Sequence, residues 1–208
     1  MKIVILGGTF DPIHNGHVAL ARAARRALRP DRLLLIPARV PPHKARPGIA
    51  PARDRLAMTK LAARGIPGAE ASAMEISRGG VSYTVDTLRR LRRRYGAGAE
   101  IFFLIGADSL RDLAGWRRAR DLCRQCVFAV AVRPGVPLRA PAALADVLRL
   151  VRVPMRPVDA SSSEIRRRLV MGRPIRGLVP PGVGGYIRKK RLYINKSLGV
   201  GESASLRV

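Results

Sequence analysis

Short apolar runs alternate with segments of helical period along the chain, and that alternation leaves few folds open. The runs are KIVIL (2 to 6), RLLLIP (32 to 37), EASAMEI (70 to 76), EIFFLIG (100 to 106), VFAVAV (127 to 132) and LRLVRV (148 to 153). Helical patterning falls between them, near 17 to 28, 52 to 64, 83 to 95, 109 to 122 and 163 to 171. Strands of continuous apolar character are buried on both faces, as in a parallel sheet with a helix at each crossover. The expected fold class is α/β, a single doubly wound parallel sheet. Such sheets bind ligands beyond the carboxyl ends of their strands, where strand order reverses. That rule directs attention to the loops at 7 to 16, 37 to 48, 77 to 83, 106 to 108 and 133 to 137.

A chain of 208 residues that is 47% hydrophobic can bury one substantial core but would be cramped as two domains. The domain is expected over 1 to 193. The stretch 194 to 208, INKSLGVGESASLRV, has little apolar periodicity, so a disordered tail is expected there. No run of 18 apolar residues occurs and the chain opens on a core strand, from which a cytoplasmic protein with no membrane partner is expected.

The net charge of +26 invites a nucleic-acid reading, but only six of the forty basic residues are lysine and the arginines fall in dispersed patches. Aromatic residues make up 4% of the chain, too few for a base-stacking platform. Solvated basic helix faces are the simpler reading, and nucleic acid is not the expected partner. The same field suits small anionic substrates. Cys123 and Cys126 form a C-x-x-C that ends a helical stretch instead of opening one, so two ordinary reduced thiols are expected; half a zinc site would lack its second pair.

The first strand leads into GGTFDPIHNGH (7 to 17). Gly7 and Gly8 would let the backbone turn tightly and let an anion approach main-chain N–H groups, with a helix opening near His17 adding its positive end. The stretch lacks the G-x-G-x-x-G of dinucleotide folds and the G-K-[ST] of a P-loop. His14 and His17 could be metal ligands, ordinary core or surface histidines, or phosphate contacts. His43 is the only other histidine, and no metal-ligating set is expected.

GTFDPIHNGH resembles the first signature of the nucleotidyltransferase superfamily of adenylyl and cytidylyl transferases. SSSEIRRRL (161 to 169) resembles its second, with Ala160 and Ser163 in place of the usual Ile and Thr. PPHK (41 to 44), SYTVDTL (82 to 88) and IGADSL followed by Trp116 are similar to the nicotinate-nucleotide adenylyltransferases of bacterial NAD synthesis. The resemblance covers residues 1 to about 193 and implies a Rossmann-like sheet of the nucleotidyltransferase type.

The activity it implies is transfer of AMP from ATP to nicotinate mononucleotide. A sister enzyme using nicotinamide mononucleotide or phosphopantetheine is the alternative, and SYTVDTL and Trp116 weigh against it. His14, His17, Lys44 and Arg166 would be the catalytic set. Gly7, Gly8, Thr9, Phe10, Gly16, Asp108, Ser162, Ser163 and Arg166 would bind ATP, with Mg²⁺ arriving on its phosphates. Lys44, Tyr83, Thr84, Trp116, Arg117 and Arg133 would hold the mononucleotide. For Asp108 a ribose contact and a helix N-cap are both open, and a capping role is open for Tyr83, Thr84 and Asp86. An oligomer is compatible with all of this.

Overall fold

The computed structural model describes residues 1–41, 48–132, 137–156 and 158–194. Six strands form one sheet in the order β3-β2-β1-β4-β5-β6, every pair parallel. They are β1 (Lys2–Gly8), β2 (Arg32–Pro37), β3 (Ala69–Ala71), β4 (Glu100–Gly106), β5 (Val127–Val132) and β6 (Leu150–Pro154). The chain winds outward from β1 to β3, then returns to the centre at β4. The reversal therefore lies between β1 and β4, and their carboxyl ends frame the crevice of a doubly wound sheet.

Strand β1 explains why the core has two layers. Val4 and Leu6 face one side, against α1 (Asn15–Leu28), α2 (Ala52–Ala63), α7 (Ser162–Val170) and α8 (Pro181–Lys190). Ile3 and Ile5 face the other, against α4 (Thr84–Tyr95), α5 (Ala107–Arg111) and α6 (Ala119–Gln125). All four of those β1 side chains are buried, so shifting the register by one residue would merely exchange two apolar layers. The helices contribute the asymmetry: α1 buries Val18, Ala21 and Ala24, whereas α4 buries Val85, Leu88 and Leu91.

Several expected boundaries move. The run at 70 to 76 keeps only the short edge strand β3 and then coils into α3 (Met74–Arg78). Glu75 is turned inward there to accept a hydrogen bond from Thr87 Oγ1 at 2.6 Å, which an extended edge strand would not provide. The helix expected at 109 to 122 is two helices, α5 and α6, separated by a 3-10 turn at Asp112–Gly115 and by Trp116, whose backbone is extended. Helix α8 has no counterpart in the sequence reading. Gly182, Gly184 and Gly185 weaken its local signal, and burial of Val183 and Ile187 together with a Tyr186-to-Asp54 hydrogen bond of 2.8 Å holds it against α2.

Cys123 and Cys126 are both buried free thiols. Among the described residues no helix is long and apolar enough to cross a membrane.

Candidate active site at the carboxyl ends of β1 and β4

The loop leaving β1 is built by side chains that need room more than by glycines that need unusual torsions. Gly7 and Gly8 still belong to the strand, and the left-handed residue is Phe10, at φ 50°. A Cβ on Gly8 would lie 2.7 Å from the Phe10 ring, and one on Gly7 would lie 3.2 Å from the Phe103 ring. The expectation that these two glycines make the turn is thus corrected: they clear space for two aromatic rings. Phe10 is itself buried and meets His17 edge-on at 5.0 Å between centroids. Gly16 serves His14 in the same way, since a Cβ there would sit 3.0 Å from the His14 ring and 3.3 Å from the Ala160 carbonyl oxygen.

Helix α1 opens at Asn15 with His14 as its N-cap, so His17 lies inside the first turn. The His14 N–H donates to His17 Nδ1 at 3.3 Å, and the two rings stack at 3.7 Å, tilted by 35°. An Nδ1 that accepts leaves the neutral ring's proton on Nε2, which makes His17 a donor through its outer nitrogen. His14 is buried, and burial alone pushes its pKa down from 6.5 to about 4. Among the described residues its Nδ1 is a buried atom without a hydrogen-bond partner.

The second motif is fastened directly onto this loop. Ser162 Oγ donates to the Pro12 carbonyl at 2.9 Å. Arg166 Nη1 donates to the Asp11 carbonyl at 2.5 Å, and its Nη2 donates to Ser163 Oγ at 3.1 Å. Ser161, not Ser162, is the N-cap of α7, accepting from the Glu164 N–H at 3.2 Å. One short loop thus gathers two imidazoles, a guanidinium and two serines.

A buried arginine that the sequence reading passed over joins this loop to its neighbours. Arg55 of α2 is 1% exposed, and its guanidinium donates to four main-chain carbonyls: Ala50 at 2.9 Å, Thr9 at 2.8 Å, Ala38 at 2.5 Å and Arg39 at 2.8 Å. It thereby holds the β1 loop and both flanks of the 42 to 47 segment at once. Nothing in "ARDRL" marks this role, in a chain with forty basic residues.

The other half of the crevice is assembled around Phe103 of β4. Trp116 meets that ring edge-on at 6.0 Å, on the same residue that crowds Gly7. The Arg117 guanidinium covers the Tyr83 ring at 4.3 Å, which brings the start of α4 beside the turn that follows α5. Tyr83 is the N-cap position of α4, but its side chain makes no capping bond. Ser82 Oγ accepts from the Arg39 N–H at 2.9 Å, and Val40 pairs with Val81, so the β2 exit is tied to the same corner.

Asp108 is in the first turn of α5 and pairs with Arg111 at 2.5 Å; the N-cap is Gly106, so the capping alternative for Asp108 does not hold. Asp86 makes ion pairs with Arg78 and Arg89 in place of a cap. Lys44 and Arg133 lie outside the described residues.

The cytidylyltransferase-like family model matches residues 5–168. A relative from Bordetella petrii, described as a probable nicotinate-nucleotide adenylyltransferase, is 44% identical over 92% of this chain and 98% of its own. One of the same description from Thermus thermophilus is 43% identical over 93% of this chain and 100% of its own. The chain belongs to the nicotinate-nucleotide adenylyltransferases. The fold agrees: the nicotinic acid mononucleotide adenylyltransferase of Plasmodium falciparum, solved with NaAD, superposes with a TM-score of 0.76 at 20% identity, over 92% of this chain and 97% of that one.

In an adenylyltransferase of this family the buried His14 has a measurable cost at low pH. The fold keeps the ring neutral where an unfolded chain would protonate it, so its contribution is complete above about pH 6.5 and lost as pH falls toward about 4. A shift of that size corresponds to at most about 3 kcal/mol. Glu75, whose pKa burial raises, acts with the opposite sign, so the comparison must be made by difference. Denaturation midpoints of the wild type should fall more steeply between pH 6.5 and 4 than those of His14→Gln; parallel curves would remove His14 from the acid response.

Proposed function

We propose that the protein transfers AMP from ATP to nicotinate mononucleotide, forming deamido-NAD and pyrophosphate. A phosphate oxygen of the mononucleotide forms the new bond to the α-phosphorus, the bond to the oxygen bridging to the β-phosphate breaks, and pyrophosphate leaves. The attacking oxygen is already anionic at neutral pH, so the reaction calls for no general base. It calls for two polyanions held in line and their charge compensated.

The observation that carries this reading is the fastening of α7 onto the β1 loop, which groups His14, His17, Ser162, Ser163 and Arg166 at the strand reversal. In the proposed assignment His17 donates to the α-phosphate and its neighbours, with His14 bracing its ring. Arg166 forks onto the β- and γ-phosphates, assisted by the serine hydroxyls and the N-terminus of α7. Mg²⁺ would enter with ATP, held on phosphate oxygens and water. Trp116 offers a face to the pyridine ring. The Thr84 N–H precedes the first intrahelical bond of α4 and, with the Arg117 N–H, suits a carboxylate. Lys44 and Arg133 are assigned to the phosphates and the mononucleotide by family pattern alone.

The test is pyrophosphate release from ATP, with each candidate acceptor supplied separately. Nicotinate mononucleotide should support fast release with one deamido-NAD formed per pyrophosphate, and phosphopantetheine should support none. Release that requires phosphopantetheine would overturn the assignment.

A further inference from the structure

We propose that the cavity between α3 and the second half of α4 is an anion site separate from the crevice at β1 and β4, and that it takes the diphosphate group of a small molecule.

Residues 89–94 include five arginines, and the fold uses them in two ways. Arg89 pairs with Asp86 at 3.5 Å, and Arg92 donates to the carbonyls of Ala97, Ala99 and Gln125. The other three, Arg90, Arg93 and Arg94, all line one cavity of about 620 Å³, together with Ser72, Met74 and Ser77 from the exit of β3 and from α3. Among the described residues none of these three has an ion pair; Arg94 lies over the Tyr95 ring, 5.4 Å from its centroid. Arg90 stands three and four residues before the other two, so the three share one helix face with Cβ atoms about 5–6 Å from that of Arg90, and like charges so placed repel. No carboxylate among the described residues lines this cavity. Glu70 lines a smaller one of about 220 Å³ that shares Ser72 and Arg94 with it, and Arg32 holds that carboxylate at 3.1 Å.

The walls are fixed before any ligand arrives. Glu75 of α3 is buried and accepts from Thr87 Oγ1 of α4 at 2.6 Å, and Arg78 of α3 pairs with Asp86 of α4 at 3.7 Å. Ser72 Oγ accepts the Met74 N–H at 3.3 Å, which leaves its own proton to donate, and Ser77 adds a second hydroxyl. A cavity of this volume holds a small molecule, and guanidiniums present forked donors matched to phosphate oxygens. A diphosphate carries enough charge to offset several guanidiniums at once, where a single carboxylate would offset one. The site is set back from the crevice, since Arg90 and Arg94 lie roughly 9 and 15 Å along α4 from Thr84. All three arginines are exposed, so an anion reaches them directly and its binding weakens with salt.

The test is titration calorimetry of the wild type, of Arg90→Gln/Arg94→Gln, and of Lys189→Gln/Lys190→Gln, which removes the same two charges from the exposed end of α8. The probes are inorganic pyrophosphate and ADP. Either can also enter the crevice, so the site is read as the difference between proteins. The arginine variant is expected to lose one equivalent of bound probe, or to bind that equivalent at least about tenfold more weakly, while the lysine variant titrates like the wild type. Hydrogen exchange over residues 72–77 is expected to slow with the probe in the wild type and not in the arginine variant. Loss of pyrophosphate binding alone marks the free anion as the ligand, and loss of ADP binding alone marks a nucleotide; both support the site. Identical titrations of wild type and arginine variant would overturn the proposal, as would unchanged exchange over 72–77 in the wild type. Equal losses in the two double variants would also overturn it, by tracing binding to the general positive charge of the chain. None of these measurements requires turnover, so failure of the adenylyltransferase reading would leave them standing.

Discussion

Replacing His17 by alanine should lower kcat by about a hundredfold to a thousandfold while changing KM for the mononucleotide by no more than about threefold. The reason is the fixed orientation of the ring. His17 stacks on His14, meets Phe10 edge-on, and accepts the His14 N–H at Nδ1. Those contacts set its plane and its tautomer before any ligand arrives, so its donor does not have to be reorganised as charge builds on the transferring phosphoryl group. A His17→Asn variant, which keeps a donor but loses the stack, should fall between the two. Steady-state kinetics with each substrate varied provides the check, and an alanine variant that turns over at the wild-type rate would remove this histidine from the chemistry.

Arg55→Leu should destabilise the fold by about 3–5 kcal/mol. Four carbonyls, those of Thr9, Ala38, Arg39 and Ala50, would lose their donor inside the protein, and Asp11 would lose a nearby compensating charge. For a domain whose total stability is roughly 5–15 kcal/mol, that is a large fraction. Arg93→Ala on the exposed face of α4 should change stability by no more than about 0.5 kcal/mol, although the two residues are indistinguishable by type. Urea titrations of both variants are the measurement. Similar midpoints would mean that Arg55 does not hold the loops together.

What could be read beforehand follows from how local each cause is. Strands β2, β4 and β5 coincide with their apolar runs, because a strand buried on both faces leaves a continuous mark in the sequence. The motif residues His14, His17, Ser162 and Arg166 were legible because their types and spacing are unusual. Their meeting is confirmed by bonds such as Ser162 to Pro12, which join opposite ends of the chain. Asp11, Arg55 and Tyr193 were missed for the complementary reason. An aspartate before a proline looks like turn chemistry, one arginine among many carries no signal, and a tyrosine after α8 looks like the fraying end of a domain. Each has a partner far along the chain, Asp11 with Ala50, Arg55 with Thr9 and Tyr193 with Asp11, 39 to 182 residues apart. The glycines at 7 and 8 stand out in the sequence, but the rings that require them, Phe103 and Phe10, are seen to crowd them only in the fold.

In the proposed assignment two main-chain N–H donors, at Thr84 and Arg117, receive the carboxylate and would face the NH₂ of an amide with donors on both sides. Mispairing of that kind costs about 1–3 kcal/mol per group, whereas stacking on Trp116 treats the two pyridine rings nearly alike. The decisive measurement is kcat/KM for nicotinate mononucleotide and nicotinamide mononucleotide on the wild-type protein at saturating ATP. The account predicts a preference for the acid of at least about tenfold to a hundredfold; equal values, or a preference for the amide, would contradict it.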